Sequence, residues 1–153
     1  MLSNNTKNYG MLYRKRYDID LTPVTAEYRD KLKGNIPDYD SDIPSGNITI
    51  NKVDRSNYRI VITASGLPPN GIFSFENVTK MTPHTTTPLL TRGFNGFVSD
   101  CNGFATTVLN TKTKPGLIIL VNYHTGNDYS MEDGSLSKTY PAILGGLMPY
   151  NLD

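Results

Sequence analysis

Apolar and polar residues alternate along several short stretches in the middle of the chain. Tyr58, Ile60 and Ile62 have this period of two, and a turn-rich run of Gly, Pro and Asn follows at 65–71. Period-two spacing between such turn residues is typical of antiparallel strands. The pattern therefore predicts an all-β domain, an antiparallel β-sandwich, over residues 46–144.

The predicted strands direct one set of side chains toward a common interior. Residues expected to be buried are Ile48, Ile50, Ile60, Ile62, Phe73, Phe75, Phe104, Val108, Ile119 and Val121. A strand over 94–99 is expected to pair with one over 104–110, because the Asn-Gly pair within 100–103 is a strong hairpin signal. The run 117–123 is almost entirely apolar, which is typical of a strand covered on both faces.

An alternating segment also occurs near the N-terminus, over residues 13–21. One side carries Tyr13, Tyr17, Ile19 and Leu21, and the other carries Arg14, Arg16, Asp18 and Asp20. This alternation predicts a half-buried strand.

A short helix is predicted directly after that strand, over residues 23–33. Thr22 is a suitable N-cap, and Pro23 suits the first helical position. Val24, Tyr28 and Leu32 would form one apolar stripe. A helix of this length is shorter than the ~12–15 residues at which isolated helices become marginal in water, so it must dock on a protein surface.

The flanking segments complete the predicted organisation. Residues 35–46 are rich in Pro and Asp and indicate an extended linker. The arm 1–45 is then either a tether that contacts another chain or an arm folded back on its own domain. We expect the tether, with Tyr13–Leu32 adding a strand to a partner's sheet edge. The apolar tail 145–153 is either an exposed association patch or part of the core.

Composition excludes several classes of function. The net charge is +1, from 15 basic and 14 acidic residues, so no overall field attracts nucleic acid or an acidic membrane. The single cysteine, Cys101, allows no intrachain disulfide. No signal peptide or membrane-spanning stretch is recognisable, so we expect synthesis in a host cytoplasm without membrane insertion.

Sequence patterns for catalysis are lacking as well. His84 and His124 have no partners at metal-ligand spacing. Asp100 and Asn102 indicate a solvated turn rather than a calcium loop. Neither a phosphate-binding loop nor a nucleophile elbow occurs. We expect a protein that is not an enzyme and that needs no cofactor or metal.

Three short motifs, with Phe73 between the first two, carry a resemblance to a known class of module. The residues are Ala64-Ser65-Gly66-Leu67-Pro68-Pro69-Asn70-Gly71, Asp100-Cys101-Asn102-Gly103-Phe104-Ala105-Thr106-Thr107 and Pro115-Gly116-Leu117. In this order they resemble the immunoglobulin-like modules of bacterial surface proteins and tailed-phage virion proteins. The resemblance covers about residues 47–125 and implies an immunoglobulin-like β-sandwich.

The resemblance also implies a function. Together with the arm, it suggests a capsid accessory or decoration protein of a virion, docked on a protein shell and oligomeric in that context. The expected partner-binding residues are Tyr13, Arg14, Arg16, Tyr17, Ile19, Leu21, Val24, Tyr28 and Leu32. The alternative is a carbohydrate- or surface-binding module of a tail, fibre or cell surface, with Tyr123 and Tyr129 as a stacking platform.

Overall fold

Nine β-strands make up the computed structural model, which describes residues 15–24, 44–124 and 142–149. The strands are β1 (Lys15–Pro23), β2 (Ser45–Lys52), β3 (Tyr58–Ser65), β4 (Ile72–Lys80), β5 (Thr85–Thr86), β6 (Gly96–Val98), β7 (Ala105–Thr111), β8 (Ile118–His124) and β9 (Ala142–Leu147). Every pairing between them is antiparallel, and these residues contain no helix. The all-β prediction is confirmed.

The strands form one continuous sheet in the order β5-β4-β8-β9-β1-β2-β3-β7, with β6 also paired to β4. The sheet curls, so that the inner faces of its two halves share one hydrophobic core. β1 joins the halves, because it pairs with β2 along most of its length and with β9 at its end. β8 lies between β4 and β9, which agrees with its apolar sequence.

Inward-facing residues meet inward-facing residues across the strand pairs. Ile48 lies opposite Ile62, and Ile50 lies opposite Ile60. The core predictions are confirmed for Ile48, Ile50, Ile60, Ile62, Phe73, Phe75, Ile119 and Val121, all of which are buried. Alternation places side chains on one face, and the register then brings matching faces together.

The same reasoning was wrong for Phe104 and Val108, which are 46% and 48% exposed. The inward residues of β7 are Ala105 and Leu109, and Leu109 lies opposite the core residue Ile60. Phe104 and Val108 have the opposite parity and therefore lie on the outer face. Phe104 and Val108 were expected to be buried because they are large and apolar. Residue type alone does not decide burial, because a strand can bury an alanine and expose a valine.

The predicted hairpin between 94–99 and 104–110 is also corrected. Its turn does form, since the Gly103 amide donates to the Asp100 carbonyl at 3.1 Å and the Asp100 amide donates to the Phe104 carbonyl at 2.8 Å. The strands then separate: β6 pairs with β4, and β7 pairs with β3. The turn therefore carries the chain from one half of the curled sheet to the other.

The N-terminal segment differs from the expected tether. The strand prediction is confirmed, but β1 pairs with β2 of the same chain from Lys15 to Leu21. This part of the arm folds back on its own domain, and the linker does not keep it away. The predicted helix does not begin at Pro23, which ends β1 opposite Leu144. Residues 25–33 of that helix lie outside the described residues.

Candidate functional site

The sheet opens where β1 and β9 separate, and this opening is the candidate site. β1 and β9 pair only at Thr22 with Gly145 and at Pro23 with Leu144. Toward its N-terminus β1 continues along β2 without β9 beside it. The result is a groove of about 840 Å³, here called the β1–β9 groove. Its lining residues are Arg16, Tyr17, Asp18, Ile19, Asp20, Thr22, Pro23, Val24, Ile118, Gly145, Gly146, Leu147, Met148 and Pro149.

Backbone groups form one wall of this groove. The Val24 amide donates to the Ile143 carbonyl at 3.3 Å, so even-numbered residues of β1 direct their backbone groups toward β9. Asn47 Nδ2 donates to the Ile19 carbonyl at 3.2 Å, which places odd-numbered backbone groups on the β2 side. By this alternation the amides and carbonyls of residues 16, 18 and 20 face the groove without a ladder partner among the described strands.

Apolar side chains line the other parts of the groove. Tyr17 and Ile19 come from the inner face of β1, and Met148 is buried on the opposite side. Leu147 is 75% exposed and stands at the rim. Gly146 allows the close approach of β9 to β1, because a Cβ there would lie 3.2 Å from a Leu21 methyl and 3.3 Å from the Asp20 carbonyl oxygen.

Polar residues of β1 that line the groove carry side chains exposed to solvent. Thr49 donates to the Asp18 carboxylate at 2.9 Å, and Arg16 lies 3.3 Å from the same oxygen. The hydrogen bond from Thr49, followed by that from Arg16, lowers the pKa of Asp18 below its usual value. The Asp18 carboxylate is therefore held on the outer face of the sheet, next to the edge of β1 that has no partner among the described strands.

The expected partner-binding residues do not share one environment. Leu21 belongs to the chain's own core, Ile19 belongs to the core and also lines the β1–β9 groove, and Arg16, Tyr17 and Val24 line the groove. Tyr13, Arg14, Tyr28 and Leu32 lie outside the described residues. The groove was missed in the sequence because its second wall comes from residues 147–149, in the predicted tail. Gly145-Gly146 between apolar residues was the available signal for a close approach of two strands.

Polar contacts also occur on β4, β8 and the loop after β4, where Ser74, Asn122 and His124 are buried and His84 is exposed. Ser74 Oγ is 2.7 Å from His124 Nε2, and the Glu76 carboxylate is 2.6 Å from His84 Nε2 and 3.0 Å from Asn122 Nδ2. The distance between Ser74 Oγ and His124 Nε2 is one that a catalytic serine and its histidine base also require. Ser74 and His124 are both buried, however, so solvent does not reach the hydroxyl. Their contact joins residues 50 positions apart, a separation that matches no sequence motif.

The first two of the three motifs that carry the resemblance, at 64–71 and 100–107, contact each other. The Leu67 amide donates to the Gly103 carbonyl at 3.0 Å, and the Asn70 amide donates to the Asp100 carbonyl at 3.0 Å. Asp100 Oδ1 also accepts the Phe104 amide at 2.9 Å. These motif residues are therefore occupied with hydrogen bonds that hold one end of the domain together.

Tyr123 does not provide an exposed stacking surface. Its ring packs against Phe73 with centroids 5.3 Å apart, and it is only partly accessible. Burial raises the pKa of its phenol above the usual value. Tyr129, the other residue of the expected platform, lies outside the described residues.

No known protein-family model matches the sequence, and no curated protein is significantly similar to it. Within residues 15–24, 44–124 and 142–149, no three His, Cys, Asp or Glu side chains are grouped so that they could hold a metal. The same part of the chain contains no helix that could cross a membrane. Geometry and the resemblance are thus the bases on which a function can be proposed.

Proposed function

We propose that this chain is a structural subunit of a larger protein assembly that binds its neighbour by accepting a strand into the β1–β9 groove. The observation that carries the proposal is the backbone edge of residues 16–20, which has no ladder partner among the described strands and lies beside an apolar surface. An extended peptide recognises such a site with backbone hydrogen bonds for affinity and side-chain pockets for specificity. The groove therefore suits a protein segment better than a rigid small molecule.

The assembly that the resemblance favours is the shell of a tailed-phage virion. In this proposal the domain is an immunoglobulin-like module displayed on the shell, and the chain is a capsid accessory protein without catalytic activity. Tyr13 and Arg14 directly precede β1 in the sequence and lie outside the described residues. Their role in partner binding stays a prediction.

The curled sheet changes how the docking is expected to work. β1 already pairs with its own β2, so it accepts a partner's strand rather than being donated to a partner's sheet. Deletion of the whole arm would also remove Ile19 and Leu21 from the core. A crosslinking probe is consequently a cleaner test than truncation.

The test places a photoreactive p-benzoylphenylalanine at Leu147 during particle assembly and searches purified particles for adducts. Leu147 stands at the groove rim and is 75% exposed. Val98 is the control, because it is also exposed but lies on β6, whose partner strand β4 is separated from β1 by β8 and β9. We expect a discrete adduct with a shell protein from position 147 and none from position 98. A chain absent from the particles, or equal adducts from both positions, would refute the proposal.

A further inference from the structure

A second strand edge without a partner among the described strands lies at one end of the sheet path, on β7. This strand pairs with β3 from Ala105 to Thr111 and is the last strand of the path. Phe104, just before it, directs both backbone groups away from β3: its amide donates to Asp100 Oδ1 and its carbonyl accepts the Asp100 amide. By strand alternation, the backbone groups of Thr106, Val108 and Asn110 point the same way.

These outward backbone groups have no ladder partner in the part of the chain that the structure describes. The strand pairings given for β7 are with β3 alone. The side chains of Thr106, Val108 and Asn110 are all exposed. Three donors and three acceptors are therefore available along one open edge, in the spacing that an antiparallel strand requires.

β7 lacks the features by which proteins usually protect such an edge. Natural edge strands are short, or contain Lys, Pro or a bulge. β5, at the other end of the path, has only two residues. β7 has seven residues, ATTVLNT, with no charge and no proline, and its register with β3 is continuous. An unprotected edge of this kind is suited to pairing with another strand.

The edge is complementary to itself about a two-fold axis at Val108. An antiparallel copy of β7 would place Val108 opposite Val108, and Thr106 opposite Asn110, in pairs that exchange both backbone hydrogen bonds. Val61 of β3 lies opposite Val108 within each chain. The pairing would therefore create a continuous row of four valines on the outer face, which β-branched cross-strand contacts stabilise.

Charges are compatible with this arrangement as well. Arg59 lies opposite Asn110 in the same chain. In the dimer Asn110 would lie opposite Thr106 of the second copy, which itself lies opposite Thr63, so Arg59 would meet no second charge in this row. Lys112, one residue past β7, would lie opposite Phe104 of the second copy. No like charges directly face each other in this register. We propose that two copies of this chain associate through β7 and form one continuous sheet across a two-fold axis.

The contact involves few residues, so it is a weak interface that depends on local concentration. Copies held close together on a larger assembly would form it more readily than free copies do. The β7 edge and the β1–β9 groove belong to different strands, so dimerisation through β7 and strand binding in the groove are independent of each other.

Sedimentation equilibrium of the full chain, from micromolar to millimolar concentration, tests the association. We expect reversible dimers. Val108→Lys should raise the dimer dissociation constant by ~10-fold or more, because like charges directly opposite one another are destabilising. Val53→Lys is the matched control, since Val53 is similarly exposed but lies in another part of the molecule. A chain that stays monomeric, or a dimer that Val108→Lys leaves unchanged, overturns the proposal.

A disulfide trap tests the register without relying on a weak equilibrium. Hydrogen-bonded antiparallel pairs have Cα atoms ~5.5 Å apart, within the range of a disulfide. In a Cys101→Ser background, Val108→Cys should oxidise to a covalent dimer faster than Val53→Cys does. Equal rates for the two variants would overturn the proposed two-fold axis at Val108. Circular dichroism of each variant shows whether the fold is retained.

Discussion

Replacing Phe73 by alanine tests where the core lies, with Phe104→Ala as the matched control. Phe73 is fully buried, and its ring centroid is 5.5 Å from that of Phe97 and 5.3 Å from that of Tyr123. Phe104 is the same residue type but is 46% exposed. Both substitutions remove an identical group, so the difference between them reports burial and contacts.

The expected magnitudes are well separated. Truncating a buried phenylalanine costs ~3–5 kcal/mol, from lost transfer free energy and the cavity left behind. Part of that loss comes from aromatic contacts with Phe97 and Tyr123, each worth ~0.5–1.5 kcal/mol. Phe104 buries only part of its ring and leaves no enclosed cavity, so Phe104→Ala should cost at most ~1 kcal/mol.

Urea unfolding followed by far-ultraviolet circular dichroism gives both values. Ten tyrosines and no tryptophan make tyrosine fluorescence a second probe for two-state behaviour. If Phe73→Ala does not fold, Phe73→Leu provides a milder version of the same test. Equal losses at Phe73 and Phe104, or a loss at Phe73 below ~1 kcal/mol, would show that the core has been wrongly located.

Two further outcomes follow from local geometry. Gly103→Ala should lower the free energy of unfolding by at least ~2 kcal/mol, because φ is 77° and the new Cβ would collide with the Leu67 carbonyl oxygen. Gly93→Ala should lower it by only ~1 kcal/mol, because φ is 91° but the space around the residue is open. Urea unfolding measures both values, and equal values would contradict the tight contact between Gly103 and Leu67. Thr49→Val should raise the pKa of Asp18 toward its usual value in a carboxyl NMR titration, because it removes the largest cause of the lowering. The folded pKa of Asp18 is depressed, so its stabilising contribution is present above the unfolded pKa and is lost as pH falls through the folded pKa; an unchanged titration would exclude the Thr49 bond.

The sequence alone predicted most of the strands and most of the inner face, but not β5 or the part of β9 that lies in the predicted tail. Alternation around Ile48, Ile60, Phe73 and Ile119 identified buried positions correctly, because the side-chain period of a strand is local and visible in a few residues. The Asp100–Gly103 turn was also predictable, since its conformation depends on its own residues and on a glycine with positive φ.

Tertiary structure decided which strands pair and which surfaces remain free. The sequences of β6 and β7 do not show that these strands separate after the turn between them. The sequence of β1 likewise does not specify β2 of the same chain as its partner. The register of β7 with β3 decides which alternate residues of β7 face the core, and the size of Phe104 or Val108 does not. The β1–β9 groove needs two segments more than a hundred residues apart. Alternation specifies the face that each side chain occupies, whereas pairing and grooves depend on contacts between distant residues.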